Sequence, residues 1–182
     1  MNKTQHLTSK RQIGQYSSEP DYSDPSGDDF DALSRDKVLI RSLTQEDLDP
    51  VVRIDQKITG RDHRAFFQRK FREVLFESGV RISLVAEIDE MLVGFMMARV
   101  DFGEFGRSAS EAVIDMLGVA KAFRSQQVGH ALLSQLLANL ASLQVESVRS
   151  EVEWNNFDLM GFLESCGFVP SQRLALSCDL AF

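Results

Sequence analysis

The segment from Glu111 to Trp154 constrains this chain most. Glu111 to Val119 reads as a strand. Val128 to Leu143 places Leu132, Leu133, Leu136, Leu137 and Leu140 at helical spacing, and Ser147 to Trp154 reads as a second strand. Strands joined through a helix of that length form a β-α-β unit and run parallel. An α/β architecture follows, and the remaining elements must be arranged around that unit.

Upstream, Val38 to Leu43 predicts a strand. Thr44 with Asp47 then resembles a capping box that opens a helix toward Ile58, with Gly60 as its stop. Asp62 can cap a second helix through Glu77, with Phe67, Phe71, Val74 and Leu75 on one face. Arg81 to Glu87, Asp89-Glu90 and Met91 to Val100 predict a β-hairpin. Downstream, Asn156 to Cys166 predicts a helix ended by Gly167 in the left-handed position, with Phe168 supplying the contact after it. Leu174 to Leu180 predicts a last strand. The order is β-α-α-β-β-β-α-β-α-β: a mixed sheet of about six strands with helices on both faces.

Residues 1–36 differ in kind. Tyr16 to Asp36 (YSSEPDYSDPSGDDFDALSRD) is acidic and rich in Ser, Pro, Gly and Asp. Such a segment buries too little apolar area to offset its ordering entropy, and a disordered tail is expected ahead of a domain at 37–182. The net charge of -7 argues against nucleic acid and anionic membrane as partners and mildly favours cationic ones, amines included. No run approaches the roughly 18 apolar residues of a membrane span. No signal-like apolar stretch begins the chain, so a cytoplasmic location is expected. Cys166 and Cys178 sit outside any zinc-like spacing; two buried thiols and no metal are the expectation.

The chemistry is expected between Val113 and Leu133. A strand enters a short loop holding Arg124, Ser125, Gln126, Gln127 and Gly129, and the loop opens the long helix at Val128. Backbone N–H groups at such a helix start suit a phosphate, and the dipole adds roughly 0.3–1 kcal/mol for an anion there. Gly129 would let a pyrophosphate approach the backbone. On these residues alone the loop is a generic phosphate cradle or a structural turn. It is neither a Walker loop nor a dinucleotide fingerprint.

Leu117-Gly-Val-Ala-Lys-Ala-Phe-Arg-Ser-Gln-Gln-Val-Gly-His-Ala-Leu-Leu resembles the acyl-CoA-binding motif of the GNAT superfamily of N-acyltransferases, Gln/Arg-x-x-Gly-x-Gly/Ala. Arg124-Ser-Gln-Gln127-Val-Gly129 aligns with it, with Gln127 where a glycine is customary. Shifted by two residues, Gln126-Gln-Val-Gly129-His-Ala131 satisfies it in full. Glu151-Val-Glu-Trp-Asn-Asn156 through Cys-Gly-Phe168 resembles the strand, Asn-led helix and Gly-Phe ending of the same superfamily.

The resemblance implies acetyl-CoA as donor cosubstrate, in a gap where parallel strands splay apart. It implies Leu117, Gly118, Val119, Arg124, Ser125, Gln126, Gln127, Val128, Gly129, His130, Ala131 and Asn156 as its binding residues. The acceptor would be a primary amine, on a protein lysine or N-terminus ahead of a small molecule. A noncatalytic acyl-CoA sensor is the rival reading, and oligomeric state is left open, a homodimer included.

A carboxylate would help remove the amine proton. Glu111, Asp115, Glu151 and Glu153 are the candidates, Asp115 and Glu151 first and Glu153 next, Glu151 aligning with the base of the superfamily's ribosomal-protein acetyltransferases. With Arg149, Glu151 and Glu153 share one strand face, which marks either an open cleft or a mutually paired set. The superfamily often places a tyrosine acid on the last helix; the aligned residue here is Leu163.

Overall fold

The computed structural model describes residues 38–101, 110–171 and 178. The expected tail at 1–36 and, apart from Cys178, the final strand at 174–180 fall outside those residues. In chain order the elements are β1 (Leu39–Ser42), α1 (Leu48–Thr59), α2 (Arg64–Arg72), β2 (Leu84–Ile88), β3 (Met91–Asp101), β4 (Glu111–Val119), α3 (Val128–Ser142), β5 (Ser147–Ser150) and α4 (Phe157–Ser165). The described strands form one five-stranded sheet in sequence order. Its first three pairings are antiparallel and β4–β5 is parallel, the mixed sheet expected from a hairpin followed by a β-α-β unit.

Alternating side chains give the sheet two apolar faces. Leu84, Ala86, Met96, Ala98, Ala112 and Ile114 meet Leu132, Leu136 and Leu140 of α3 on one side. Val85, Phe95 and Met97 meet Val51 and Val52 of α1 and Phe67 and Phe71 of α2 on the other. Helices therefore cover both faces, and the four apolar residues expected on α2 and its extension are all buried. That extension, Glu73–Glu77, closes as a wider π turn. Local signals behave as their chemistry requires. Asp89 and Glu90 take the positive φ values, 49° and 61°, of a tight hairpin turn. Gly60 (φ 73°) and Gly167 (φ 86°) end α1 and α4.

Two expectations need correction. β5 ends at Ser150, well short of Trp154. The Ser150 hydroxyl donates to the Ile114 carbonyl at 3.1 Å, so a side chain occupies an acceptor at the end of the ladder. The chain then turns: Asn156 N–H donates to the Glu153 carbonyl, and Asn156 Oδ1 caps α4 by accepting from Leu159 N–H. Cys166 is half-buried and Cys178 exposed, so the pair are not two core thiols.

Asp47 anchors α1 to the sheet edge. Its carboxylate accepts two bonds from Arg41 at 2.8 Å and one from Thr44 N–H at 2.8 Å. Burial alone would raise its pKa, but Arg41 and the two Thr44 donors outweigh that and hold it below the ordinary value. A depressed native pKa stabilises the fold above the unfolded value, about 3.9, and that contribution fades as pH falls through the native value. Asp47→Asn should lower stability by about 2 kcal/mol at pH 7 in urea unfolding. The deficit should narrow below about pH 4, where the wild type loses the same charge.

Candidate active site

The site begins where β4 loses its neighbour. β4 and β5 pair from Glu111↔Ser147 to Ile114↔Ser150, after which β4 continues to Val119 without β5. On its other edge Met116 pairs with Met97 and Ile114 with Ala98, leaving Asp115 as the extra residue of a bulge. Ala120 N–H donates to the Val93 carbonyl at 2.8 Å. Successive strand N–H groups alternate between edges, so those of Leu117 and Val119 point toward the vacated side. Gly118 faces the opposite way: a Cβ there would lie 2.5 Å from the Phe95 ring.

A cavity of about 570 Å³ fills this gap. Leu117 and Val119 form one wall, and Arg124, Ser125, Gln127, Val128, Gly129 and His130 come from the loop and the first turn of α3. Asn156, Asp158, Leu159 and Phe162 of the α4 region and Ile58 of α1 complete it. Elements from both faces of the sheet therefore border one space. Gln127 precedes α3 in the left-handed region, φ 60°, where glycine has no Cβ penalty. The first intrahelical bond runs from Ala131 N–H to the Gln127 carbonyl at 2.9 Å. The N–H groups of Val128, Gly129 and His130 are therefore first-turn donors at the cavity.

Nine of the twelve donor-site residues expected from sequence border the cavity; Gly118, Gln126 and Ala131 do not. Gly118 packs on Phe95, Gln126 turns back to the Ala122 carbonyl and Ala131 is buried in the core. Gly129 answers a packing need: a Cβ there would meet the Phe162 ring at 3.2 Å. His130 sits edge-on to the same ring, with centroids 5.1 Å apart. Ile58, Asp158, Leu159 and Phe162 were not foreseen. The helical spacing of Leu159 and Phe162 signalled an apolar stripe without saying what it faced.

The acids expected as bases differ in setting. Asp115 is engaged by Arg99 on one oxygen and by Lys70, at 3.3 Å, on the other. Lys70 also binds Glu73 at 2.9 Å. Burial opposes the lysine's charge, yet Glu73 and Asp115 outweigh it and its pKa is raised. Arg99 is raised likewise, Asp115 overcoming burial. Arg149 bridges Glu111 and Glu151, each at 2.9 Å. The Glu151 side chain remains 83% exposed. Glu153 is exposed. Of the two sequence readings, the paired set describes Arg149 and Glu151. Among the described residues no group of three His, Cys, Asp or Glu could hold a metal ion, and no helix is long and apolar enough to cross a membrane.

A mixed sheet whose parallel neighbours splay over a helix N-terminus is the GNAT fold. Residues 48–168 match the acetyltransferase (GNAT) family, and the chain belongs to it. No curated protein matches by sequence at a significant level. Among solved structures, the aminoglycoside N-acetyltransferase AAC(6')-Iy in complex with CoA superposes with TM-score 0.67 at 15% identity, covering 79% of this chain and 95% of that one. Ard1 from Thermoplasma volcanium gives 0.61 at 26% identity, covering 74% and 84%. An Arabidopsis thaliana protein solved with the bisubstrate analogue CoA-Ac-MVNAL gives 0.60 at 20%, covering 75% and 85%.

The left-handed Gln127 yields a stability test. Relief of its Cβ clash, roughly 1–2 kcal/mol, exceeds the added unfolded-state entropy of glycine, about 0.4–1 kcal/mol. Gln127→Gly should therefore stabilise the fold by a net of about 0.5–1 kcal/mol, read as a higher urea midpoint.

Proposed function

We propose that this protein transfers an acetyl group from acetyl-CoA to a primary amine. The observation that carries this reading is the cavity that joins the edge of β4 left by β5 to the first turn of α3. First-turn N–H groups and Arg124 would hold the diphosphate of the donor. The N–H groups of Leu117 and Val119 would polarise the thioester carbonyl and receive its developing negative charge. Holding donor and amine side by side can supply roughly 7–11 kcal/mol of the barrier.

The acceptor enters from the side of α1 and α2. There Asp115, Glu111, Glu151, Asp101 and Glu73 are interleaved with Lys70, Arg99 and Arg149. Carboxylates outnumber cations in that set, which supports a cationic acceptor. We place a protein N-terminus or lysine ahead of a small amine, because Glu153 and the Arg149-paired Glu151 are exposed where a large partner could meet them. Asp115, between two cations at the bulge, would position the amine by charge.

Thiol release from acetyl-CoA with a panel of peptides and amines tests the reading. Turnover with at least one acceptor is expected; tight acetyl-CoA binding without turnover on any would establish the sensor instead. Arg124→Ala should raise the KM for acetyl-CoA about tenfold and leave kcat within about twofold, the mark of uniform binding. Asp115→Ala should lower turnover by more than about tenfold, as expected for lost positioning.

A further inference from the structure

A buried carboxylate on α1 grips a histidine at the start of α2, and the reading above uses neither. Asp55 is only 6% exposed, and its Oδ2 lies 2.7 Å from His63 Nδ1. The His63 side chain keeps 37% of its surface open, against 8% for Asp55. A carboxylate acceptor selects the Nδ1–H tautomer of neutral imidazole, which leaves the lone pair on Nε2. An inner carboxylate orienting an outer imidazole is how histidine is prepared to take a proton from a nucleophile.

The pair also lies beside the reacting edge. Ile58, about one turn beyond Asp55, borders the cavity with Leu117 and Val119. About two turns along α2 from His63, Lys70 reaches Asp115. His63 and Lys70 are thus roughly 10 Å apart at 1.5 Å per residue. Asp115 and Val119 are roughly 13 Å apart along the strand. Phe67 meets the Phe95 ring edge-on, that ring lies against Gly118, and Lys70 further along α2 reaches Asp115, so α2 runs from the Gly118 level of β4 toward Asp115, and His63, about one turn before Phe67, lies toward the Val119 end.

We propose that His63, held by Asp55, is the catalytic residue that takes the proton from the attacking amine, with Asp55 as its positioning residue. This rests on the transferase reading above. The neutral amine nitrogen forms a C–N bond to the thioester carbonyl carbon, and the C–S bond breaks. The amine proton passes to His63 Nε2 and from there to the departing thiolate, so amide and thiol leave with His63 neutral again. That second transfer supplies the acid that α4 lacks, Leu163 being buried in the core. Other charged groups of this corner are Arg61, Asp62 and Arg64 on the segment of His63, and Lys57 and Asp49 on α1; Arg64 is paired with Asp49 at 2.7 Å.

The test compares wild type, His63→Ala, His63→Gln and Asp55→Asn in the full chain. Thiol release from acetyl-CoA is followed with three acceptors: a peptide with a free N-terminus, Nα-acetyl-lysine methylamide and kanamycin. His63→Ala should lower kcat about 100-fold while the KM for acetyl-CoA stays within about twofold, and it should abolish the acid limb of the pH profile. Added imidazole should restore about tenfold of that loss, and Asp55→Asn should lower kcat about tenfold. If His63→Ala does not fold, His63→Gln carries the comparison. A kcat within about threefold of wild type overturns the proposal. So does a loss that imidazole leaves unrestored and that follows a lowered melting temperature, since the pair would then only tie α1 to α2. Wild type that binds acetyl-CoA in calorimetry yet releases no thiol with any acceptor refutes the transferase reading itself, and the dyad with it.

Discussion

The parting of β5 from β4 after Ser150 is the constraint from which the site follows. Had β5 continued, Leu117 and Val119 would have donated to it and no cavity would exist. Instead the Ser150 hydroxyl occupies the Ile114 carbonyl, the bulge at Asp115 adds twist, and Asn156 starts α4 in a new direction. Under the proposed reading, a thioester carbonyl oxygen brought to the vacated edge accepts from the donors of Leu117 and Val119.

The two cores keep the gap open and in register. α3 cannot shift along the sheet, because its first residue, Val128, presses on Gly94; a Cβ at that glycine would lie 2.9 Å from Val128 Cγ1. On the opposite face the Phe95 ring lies against Gly118. One tight contact fixes the helix N-terminus, and the other fixes the strand that faces it. The donors of α3 and those of β4 are therefore held relative to each other by packing against β3. Preorganisation of this kind is what electrostatic stabilisation of a transition state requires.

Much of this was visible in the residues. The apolar runs of β2 to β4, the leucine spacing of α3 and the glycines after α1 and α4 are local signals, and the structure follows them. The end of β5 was not visible, because Ser150 to Trp154 has strand-like alternation and only the tertiary bond from Ser150 to Ile114 shows where pairing stops. Side-chain partners were harder still. Nothing near Asp115 in sequence announces Lys70 or Arg99, which approach it from α2 and β3. The Asp55–His63 contact crosses a helix break, and in sequence His63 looks like one more residue of a basic helix start.

Those hidden partners divide the labour of the site. Asp115 holds Arg99 and Lys70, and Glu151 shares Arg149 with Glu111. Each acid is already engaged by cations, which favours its charged form, so such carboxylates suit the holding of an ammonium more than its deprotonation. A lysine amine, with a pKa near 10.4, must still lose a proton before it can attack, at a cost of about 4.6 kcal/mol at pH 7. In the proposed step that first proton is lost to solvent, and His63 carries only the second, released by the nitrogen as the C–N bond forms, on to the thiolate. Under the proposed reading, recognition by the charged set and proton transfer by His63 are compatible demands on one small domain, and α2 contributes to both through Lys70 and His63.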